Sequence, residues 1–373
     1  MDKRHIYAHT EKSKDHGGIV RSKNVQEIIS RNMNLETILV TIKHPFKQLN
    51  IEKNILEFSF TYKSLVARLI CKMLRSINIK SLTLEYCSRE CKAEDLKKHV
   101  HKGDLIILDS IAGYIMIKPQ LHNLVDYAKI VYLGHNFEPN FFGITNPKHF
   151  IWKSEKEAVN LADLVIVASY RDLLLYNKYY ECQMEKMVVL PNIYPIEFNI
   201  NKEDDLTLAV VLGDHWGKSV IHSLANMLSD LKNLNLKIIS VGSLLTKELK
   251  HRGLNVEGYD YIPRRKNFLE TISKAHIGIN YAINVGGTNV RKYDYALGAL
   301  VVLSSPFGNR GEPLPCEYTF TDAEDLKTKI RFLLERDLKR MGEENRRFVL
   351  SYFNSCVKDL TKKLSSLIRE ESN

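Results

Sequence analysis

No stretch of the 373-residue chain stays apolar for the roughly 18 residues that a membrane-crossing helix needs. The opening, MDKRHIYAHTEKSKD, turns polar within a few residues, so no signal peptide is visible and a cytoplasmic chain is expected. Glycine (18) and proline (10) are too few for a collagen-like or low-complexity chain. The six cysteines (71, 87, 91, 182, 316 and 356) show no small-domain disulfide spacing. Cys87 and Cys91 have no second Cys or His pair nearby to complete a zinc site, so free thiols in a reducing compartment are expected. No G-x-G-x-x-G supports a dinucleotide cofactor. Gly213 and Gly217 stand too close together for a Walker A loop, although Lys218-Ser219 follows them. No Asp-x-Asp metal motif and no RNA- or DNA-binding motif appears, so neither a metal nor a nucleic-acid partner is expected.

What is present is an ordinary globular composition, 44% hydrophobic and 26% charged, long enough for two buried cores. The net charge of +10 is uneven. Residues 1–80 hold 15 Lys and Arg against 7 Asp and Glu, so the remaining 293 residues carry only +2. A basic N-terminal region points to an anionic partner. Leu65, Leu69, Met73 and Ile77, with Val66 and Ile70, make one face of a predicted helix over Tyr62–Ile77. Lys63, Arg68, Lys72 and Arg75 lie opposite. A sheet-packing helix with a solvated basic side explains them; docking on an anionic membrane is the second reading.

Short β-branched runs alternate with amphipathic stretches almost throughout. Predicted strands are His5–His9, Leu35–Ile42, Leu82–Tyr86, Leu105–Asp109, Ile130–His135, Leu164–Ser169 and Met187–Leu190. Pro191, Asn192, Pro195 and the polar run Asn199–Asp205 then read as a linker. A second set follows at Leu208–Leu212, Leu236–Val241, His276–Tyr281, Leu300–Ser304 and Glu317–Phe320. Helices are expected near Lys218–Leu231, Asn267–Ser273 and Arg291–Leu297, with about forty helical residues after Asp325. The pattern is α/β, with two Rossmann-like, doubly wound parallel-sheet domains expected to face a cleft. The expected bounds are 1–198, 199–345 and a C-terminal helix over 346–373 that returns toward the first domain.

Four segments could carry chemistry. Gly17 and Gly18 stand ahead of a helix and allow close backbone approach to an anion, or simply make a turn. His135 ends a strand, where it can meet a ligand or bond a neighbouring loop. Gly213 closes a strand, and Lys218 opens the next helix, a poor place for a cation unless an anion joins it. The run from Asn280 to Leu303 reads strand, Gly286-Gly287-Thr288-Asn289 loop, helix, Gly298 and strand. Its loop amides suit a phosphate. Arg291 and Asp294, three apart, share a helix face and could instead make a solvated ion pair.

These segments together resemble the retaining nucleotide-sugar glycosyltransferases of the GT-B fold, most like glycosyltransferase family 4. Glu157–Ser169, with Ala162-Asp163 before an apolar strand, and Leu190-Pro191-Asn192 also resemble that family, as does a turn at Gly258-Tyr259 near the nucleotide base. Many members have two glutamates eight positions apart; this chain has Gly286 and Asp294 there. Gly287, Thr288, Arg291 and Asp294 match a shorter form of the pattern, with Arg for Lys and Asp for Glu. The resemblance implies a metal-independent hexosyltransferase with no resident cofactor, using a UDP- or GDP-sugar as donor. It implies that Lys218, Arg291 and the amides of Gly287–Asn289 hold the diphosphate, Asp294 the ribose, and His135 the sugar. Gly17, Gly18, Gly213 and Tyr259 complete the expected donor site. The acceptor would be a glycan, glycolipid or protein, reached from the cytoplasm or from the inner membrane face. An epimerase or hydrolase on the same fold, or a binding protein without activity, are the other readings.

Overall fold

The computed structural model describes residues 4–9, 21–22, 24–29, 36–43, 57–59, 61–62, 70, 91–92, 100–214, 217–234, 236–283 and 290–369. The chain divides into two compact units, Met1–Pro191 with Cys356–Asn373, and Asn192–Ser355.

The first unit holds a seven-stranded sheet in the order β3-β2-β1-β6-β7-β8-β9. Its strands are β1 (Arg4–His9), β2 (Glu36–Lys43), β3 (Glu57–Ser59), β6 (Asp104–Asp109), β7 (Ala128–Leu133), β8 (Leu164–Val167) and β9 (Met187–Val189). All neighbours run parallel. A separate antiparallel pair joins β4 (Thr61–Tyr62) and β5 (Cys91–Lys92). Helices α1 (Ser110–Leu121), α2 (Glu138–Phe141), α3 (Phe150–Leu161) and α4 (Tyr170–Tyr180) follow β6, β7 and β8. Every residue of β6 (DLIILD) and β8 (LVIV) is buried, as a parallel sheet covered on both faces requires.

The second unit repeats the plan with β10 (Thr207–Val211), β11 (Lys237–Val241), β12 (Val256–Tyr259), β13 (Ile277–Asn280), β14 (Val301–Ser304) and β15 (Glu317–Thr319). The order is β12-β11-β10-β13-β14-β15, again all parallel. Its helices are α5 (Lys218–Ser229), α6 (Ser243–His251), α7 (Arg265–Ser273), α8 (Val290–Leu297), α9 (Ala323–Leu334) and α10 (Leu338–Arg369). Both sheets start in the middle, build outward to one side, then cross back. That places a switch point between β1 and β6 in one unit and between β10 and β13 in the other, where ligands enter open α/β sheets.

Several expectations shift. Strand β7 ends at Leu133, so His135 stands in the loop two residues beyond it. Gly258 and Tyr259 do not form a turn; they lie in the edge strand β12, which is only half-buried and gave no continuous apolar run. Tyr62, read as the start of a helix, belongs to β4. The predicted strand Leu82–Tyr86 lies outside the described residues. The helical tail is two helices, and α10 begins at Leu338 rather than at 346.

Helix α10 is held differently at its two ends. In the second unit, the buried Asn345 accepts from Cys316 N at 2.8 Å and donates to Leu300 O and Cys316 O at 2.9 Å each. Gly342 lies so close that an added Cβ would stand 1.9 Å from Ala299 O. In the first unit, Lys363 Nζ donates to the carbonyls of Glu185 and Met187 beside β9, at 2.5 and 2.7 Å. Because backbone, not a flexible side chain, blocks Gly342, Gly342→Ala is expected to cost about 1–3 kcal/mol or more. Urea denaturation checks this; a loss under about 0.5 kcal/mol would mean that the helix can move away from Ala299.

Candidate functional site

In the second unit, polar side chains of α8 gather at the carboxyl ends of β10 and β13. Arg291, in the first turn of α8, donates from Nη1 to Val211 O at 2.8 Å and from Nη2 to Tyr281 O at 2.9 Å. These carbonyls lie at the ends of β10 and β13, on either side of the switch point. One turn on, the Tyr295 hydroxyl accepts from Val211 N at 2.9 Å and donates to Ile279 O at 3.2 Å. The i, i+4 spacing sets both side chains on one helix face. Gly278 makes room for the ring, since a Cβ there would stand 2.4 Å from Tyr295 Cγ. Burial lowers the Arg291 pKa and raises that of Tyr295.

The other polar residues of α8 are also engaged. Lys292 is fully buried and pairs with Glu317 at 2.7 Å; burial pulls its pKa down, and Glu317 opposes that. Asp294 Oδ1 pairs with Arg265 at the start of α7. The structure thus gives Arg291 and Asp294 separate partners on a largely buried helix. Arg265 and Tyr295 carried no signal in the sequence that singled them out.

The loops after β10 and β11 are fixed by two backbone bonds and one from an aspartate side chain. Leu212 N donates to Val241 O at 3.0 Å, Gly242 N donates to Tyr259 O at 2.8 Å, and Leu244 N donates to Asp214 Oδ1 at 2.9 Å. Gly242 has φ +136°, and a Cβ there would stand 2.0 Å from Leu212 O. Gly213 lies in this loop. Gly217, at φ +83°, then opens α5 without a side-chain cap, and Lys218 is exposed on its first residue. The first turns of α5, α6 and α8 contain no acidic residue. Their positive dipole ends are therefore not neutralised from within. Tyr259 ends β12 and donates its hydroxyl to Glu257, whose carboxylate pushes the phenol up to about 12. Tyr261, Ile283 and Phe307 are exposed on the loops after β12, β13 and β14.

In the first unit, the carboxyl ends of β6 and β7 carry a different set. Asp109 is in register with Leu133, which brings it beside the His135 loop. His135 Nε2 lies 2.5 Å from Asp109 Oδ1, and the Ser22 hydroxyl donates to Asp109 Oδ2 at 2.8 Å. Beyond Asp109 the chain enters α1 through Ser110 at φ +65°, a strained conformation for a residue with a Cβ. Arg21, fully buried, donates to Gly134 O and, at 3.0 Å, to Ile166 O. Gly17, Gly18, Gly287, Thr288 and Asn289 lie outside the described residues.

Beneath the His135 loop sits an acid that the sequence reading passed over. Glu155 is fully buried and accepts from Tyr132 and Tyr176 on Oε1, at 3.0 and 2.6 Å. Its Oε2 accepts from Tyr180 and Glu138 N, at 2.8 and 3.0 Å. The same Tyr176 hydroxyl lies 2.9 Å from Asn136 O, one residue past His135. Burial outweighs these hydrogen bonds and raises the Glu155 pKa to about 7.

The pH consequence has a definite sign. A carboxyl whose pKa is raised on folding keeps a proton that the unfolded chain loses, so its stabilising contribution fades between its unfolded and folded pKa values. Wild-type stability is expected to fall from about pH 4.5 to about pH 7 through this group, and Glu155→Gln should remove that part of the slope. Urea melts of both proteins across this range provide the check; identical slopes would place Glu155 in the ordinary carboxyl range.

No protein-family model matches the chain, and no curated protein matches it in sequence. Solved structures do match it in fold over nearly the whole length. A mutant of Staphylococcus aureus TarM, in complex with fondaparinux, α-GlcNAc-glycerol and UDP, is 11% identical, with a TM-score of 0.66 over 99% of this chain and 100% of that one. The pneumococcal O-GlcNAc transferase GtfA, with UDP and GlcNAc, is 10% identical, with a TM-score of 0.63 over 99% of each chain. Anabaena HepE, with UDP and glucose, is 13% identical, with a TM-score of 0.62 over 98% and 100%. The chain therefore has the GT-B fold of these glycosyltransferases, with two Rossmann-like units. Among the described residues, no helix is long and apolar enough to cross a membrane.

Proposed function

We propose that the chain is a retaining glycosyltransferase, similar to family 4, that moves a sugar from a nucleotide diphosphate sugar to a glycan, lipid-linked or protein acceptor. The observation that carries this reading is the switch point of the second sheet. There α5 opens uncapped with Lys218, and Arg291 sets the start of α8 against the ends of β10 and β13. UDP in all three of the structural neighbours described supports the choice of a nucleoside diphosphate.

As the bond from the sugar to the diphosphate breaks, negative charge grows on the departing oxygen. Prepositioned cations and helix dipoles stabilise that charge without having to reorganise. Lys218, Arg291 and the backbone of Gly287–Asn289 are assigned to the diphosphate, and Gly213 to close backbone approach. Asp294 is assigned to the ribose through Oδ2, Arg265 being held on Oδ1. Tyr259 is assigned to the base side, where the exposed Tyr261, two residues on, offers an aromatic face. Gly17 and Gly18 serve the other end of the donor and His135 its sugar. No resident cofactor or metal enters this scheme. A peripheral position at the inner face of a membrane would follow from the basic N-terminal region.

A thermal-shift series with UDP, GDP, dTDP, ADP and CMP tests this, since a ligand of the folded state raises the melting temperature. One nucleoside diphosphate is expected to stabilise the protein, and Asp294→Ala to abolish the shift. With the matching donor, Lys218→Ala should lower turnover by roughly 10²–10³-fold, the scale of one lost charge-stabilising donor. No shift with any nucleotide would reject the reading.

A further inference from the structure

The loop that leaves β7 is tied down mostly by side chains. Arg21 donates to Gly134 O, and the Tyr176 hydroxyl lies 2.9 Å from Asn136 O. Phe137 N donates to Asp172 Oδ1 at 3.3 Å, and Glu138 N donates to Glu155 Oε2 at 3.0 Å. Two of these four ties lead to Glu155, because the Tyr176 hydroxyl also stands 2.6 Å from Glu155 Oε1. Gly134 leaves room for that hydroxyl, since a Cβ there would stand 2.4 Å from it. A phenol carries one proton, so Tyr176 can donate to Glu155 or to Asn136 O, not to both. An ionised Glu155 takes that proton. It then accepts from all three tyrosines and from Glu138 N, and Asn136 O loses its donor. A neutral Glu155 brings a proton of its own. It donates that proton to the Tyr176 oxygen, and Tyr176 donates onward to Asn136 O. Only in the neutral state are both contacts of Tyr176 hydrogen bonds.

We propose that Glu155 and Tyr176 form a proton switch under the His135 loop: neutral Glu155 holds the loop through Tyr176 and Asn136 O, and loss of the Glu155 proton to solvent turns the Tyr176 hydroxyl back onto the carboxylate and releases Asn136. The groups that face Glu155 leave it as the one that titrates. Burial pushes up the phenols of Tyr132 on β7 and of Tyr176 and Tyr180 on α4, so all three keep their protons. From α2, Glu138 offers its backbone N–H, and its own side chain is a second buried acid. Asp172, also on α4, accepts from Ser169 and Phe137 N. On α3 itself, Lys156 and Glu157 pair with Glu181 and Lys118. Arg21 bonds the carbonyls of Gly134 and Ile166. The four donors on Glu155 are thus neutral groups, and burial raises its pKa to about 7. The loop is held on the acid side of neutrality and loosened on the alkaline side.

The test is carbon NMR on the full chain, labelled with ¹³C-asparagine, ¹⁵N-phenylalanine and ¹³C-glutamate and titrated through neutral pH. Asn136→Ser assigns the Asn136 carbonyl and Glu155→Gln the Glu155 carboxyl. In the wild type the two signals are expected to move together, with one midpoint near pH 7. Glu155→Gln, whose amide donates to Tyr176 as the neutral acid does, should hold the Asn136 signal at its acid-side position throughout. Tyr176→Phe should leave Glu155 titrating and the Asn136 signal still. A wild-type Asn136 signal that does not follow Glu155 overturns the proposal, even if Tyr176→Phe fails to fold. So does equal movement in Tyr176→Phe and wild type, or a Glu155 that keeps one charge state throughout. None of these signals needs a nucleotide, so they stand apart from the thermal-shift series on which the proposed function depends. The effect on turnover rests on the glycosyltransferase reading, because the loop carries His135. There kcat/KM of the wild type should fall by about 2- to 12-fold as Glu155 ionises, the scale of one hydrogen bond. Glu155→Gln should lose that step, and the same step in both proteins overturns the coupling to turnover.

Discussion

At the switch point of the second sheet, strands β10 and β13 are neighbours whose following loops lead away in opposite directions. The carbonyls at their carboxyl ends would face the gap without ladder partners. One guanidinium takes two of them, Val211 O and Tyr281 O, and one phenol takes Val211 N and Ile279 O. Burying an arginine costs several kcal/mol before its hydrogen bonds are counted. Burial lowers the Arg291 pKa, and Tyr295 and Asp294 oppose that shift. In exchange, α8 is fixed against both strands, and the rest of the edge is organised around it. Lys292 reaches Glu317 on β15, and Asp294 reaches Arg265 on α7. The helix that frames the proposed diphosphate site is thereby tied to four different elements.

The two carboxyl edges differ in the polarity they offer. The second unit presents donors: an uncapped helix start, Lys218 and the cationic start of α8. Among the described residues, the first carries side-chain acceptors. Asp109 and His135 stand at the ends of β6 and β7, and Glu155 lies under them in its cage of tyrosines. The nearby cation, Arg21, is turned onto the backbone carbonyls of Gly134 and Ile166.

Much of this order could be read from the sequence, because parallel strands buried on both faces must be continuous apolar runs. Strands β6, β8, β10, β11, β13 and β14 all answer to such runs, within a residue or two at their ends. Strands β3 and β12 escaped notice, being short edge strands with little apolar signal. Lys218 stood out as a cation at a helix start, Gly213 as the residue that closes a strand, and Arg291 as the partner of Asp294 three residues on along one helix face. Asp109, Ser22, Arg265 and Glu155 did not, since each has its partner far along the chain. Asp109 meets Ser22 across 87 positions and Arg265 meets Asp294 across 29. Nothing in local spacing announces such pairs; only the register of the sheet and the crossing of the helices bring them together.

The same long-range contacts account for two departures from the resembled pattern, Arg for Lys at 291 and Asp for Glu at 294. A lysine ammonium is a point charge on a flexible stem, while a guanidinium is a rigid fork with separated donors. Arg291 uses that separation, one nitrogen for each strand end. At 294 the acid is met by Arg265 from α7, so a short carboxylate suffices where a longer one would have to fold back within a nearly closed space. Each substitution thus has a partner matched to its geometry. The pair can depart from the common form and still keep a cation and a carboxylate one turn apart, at the place where this fold takes its ligands.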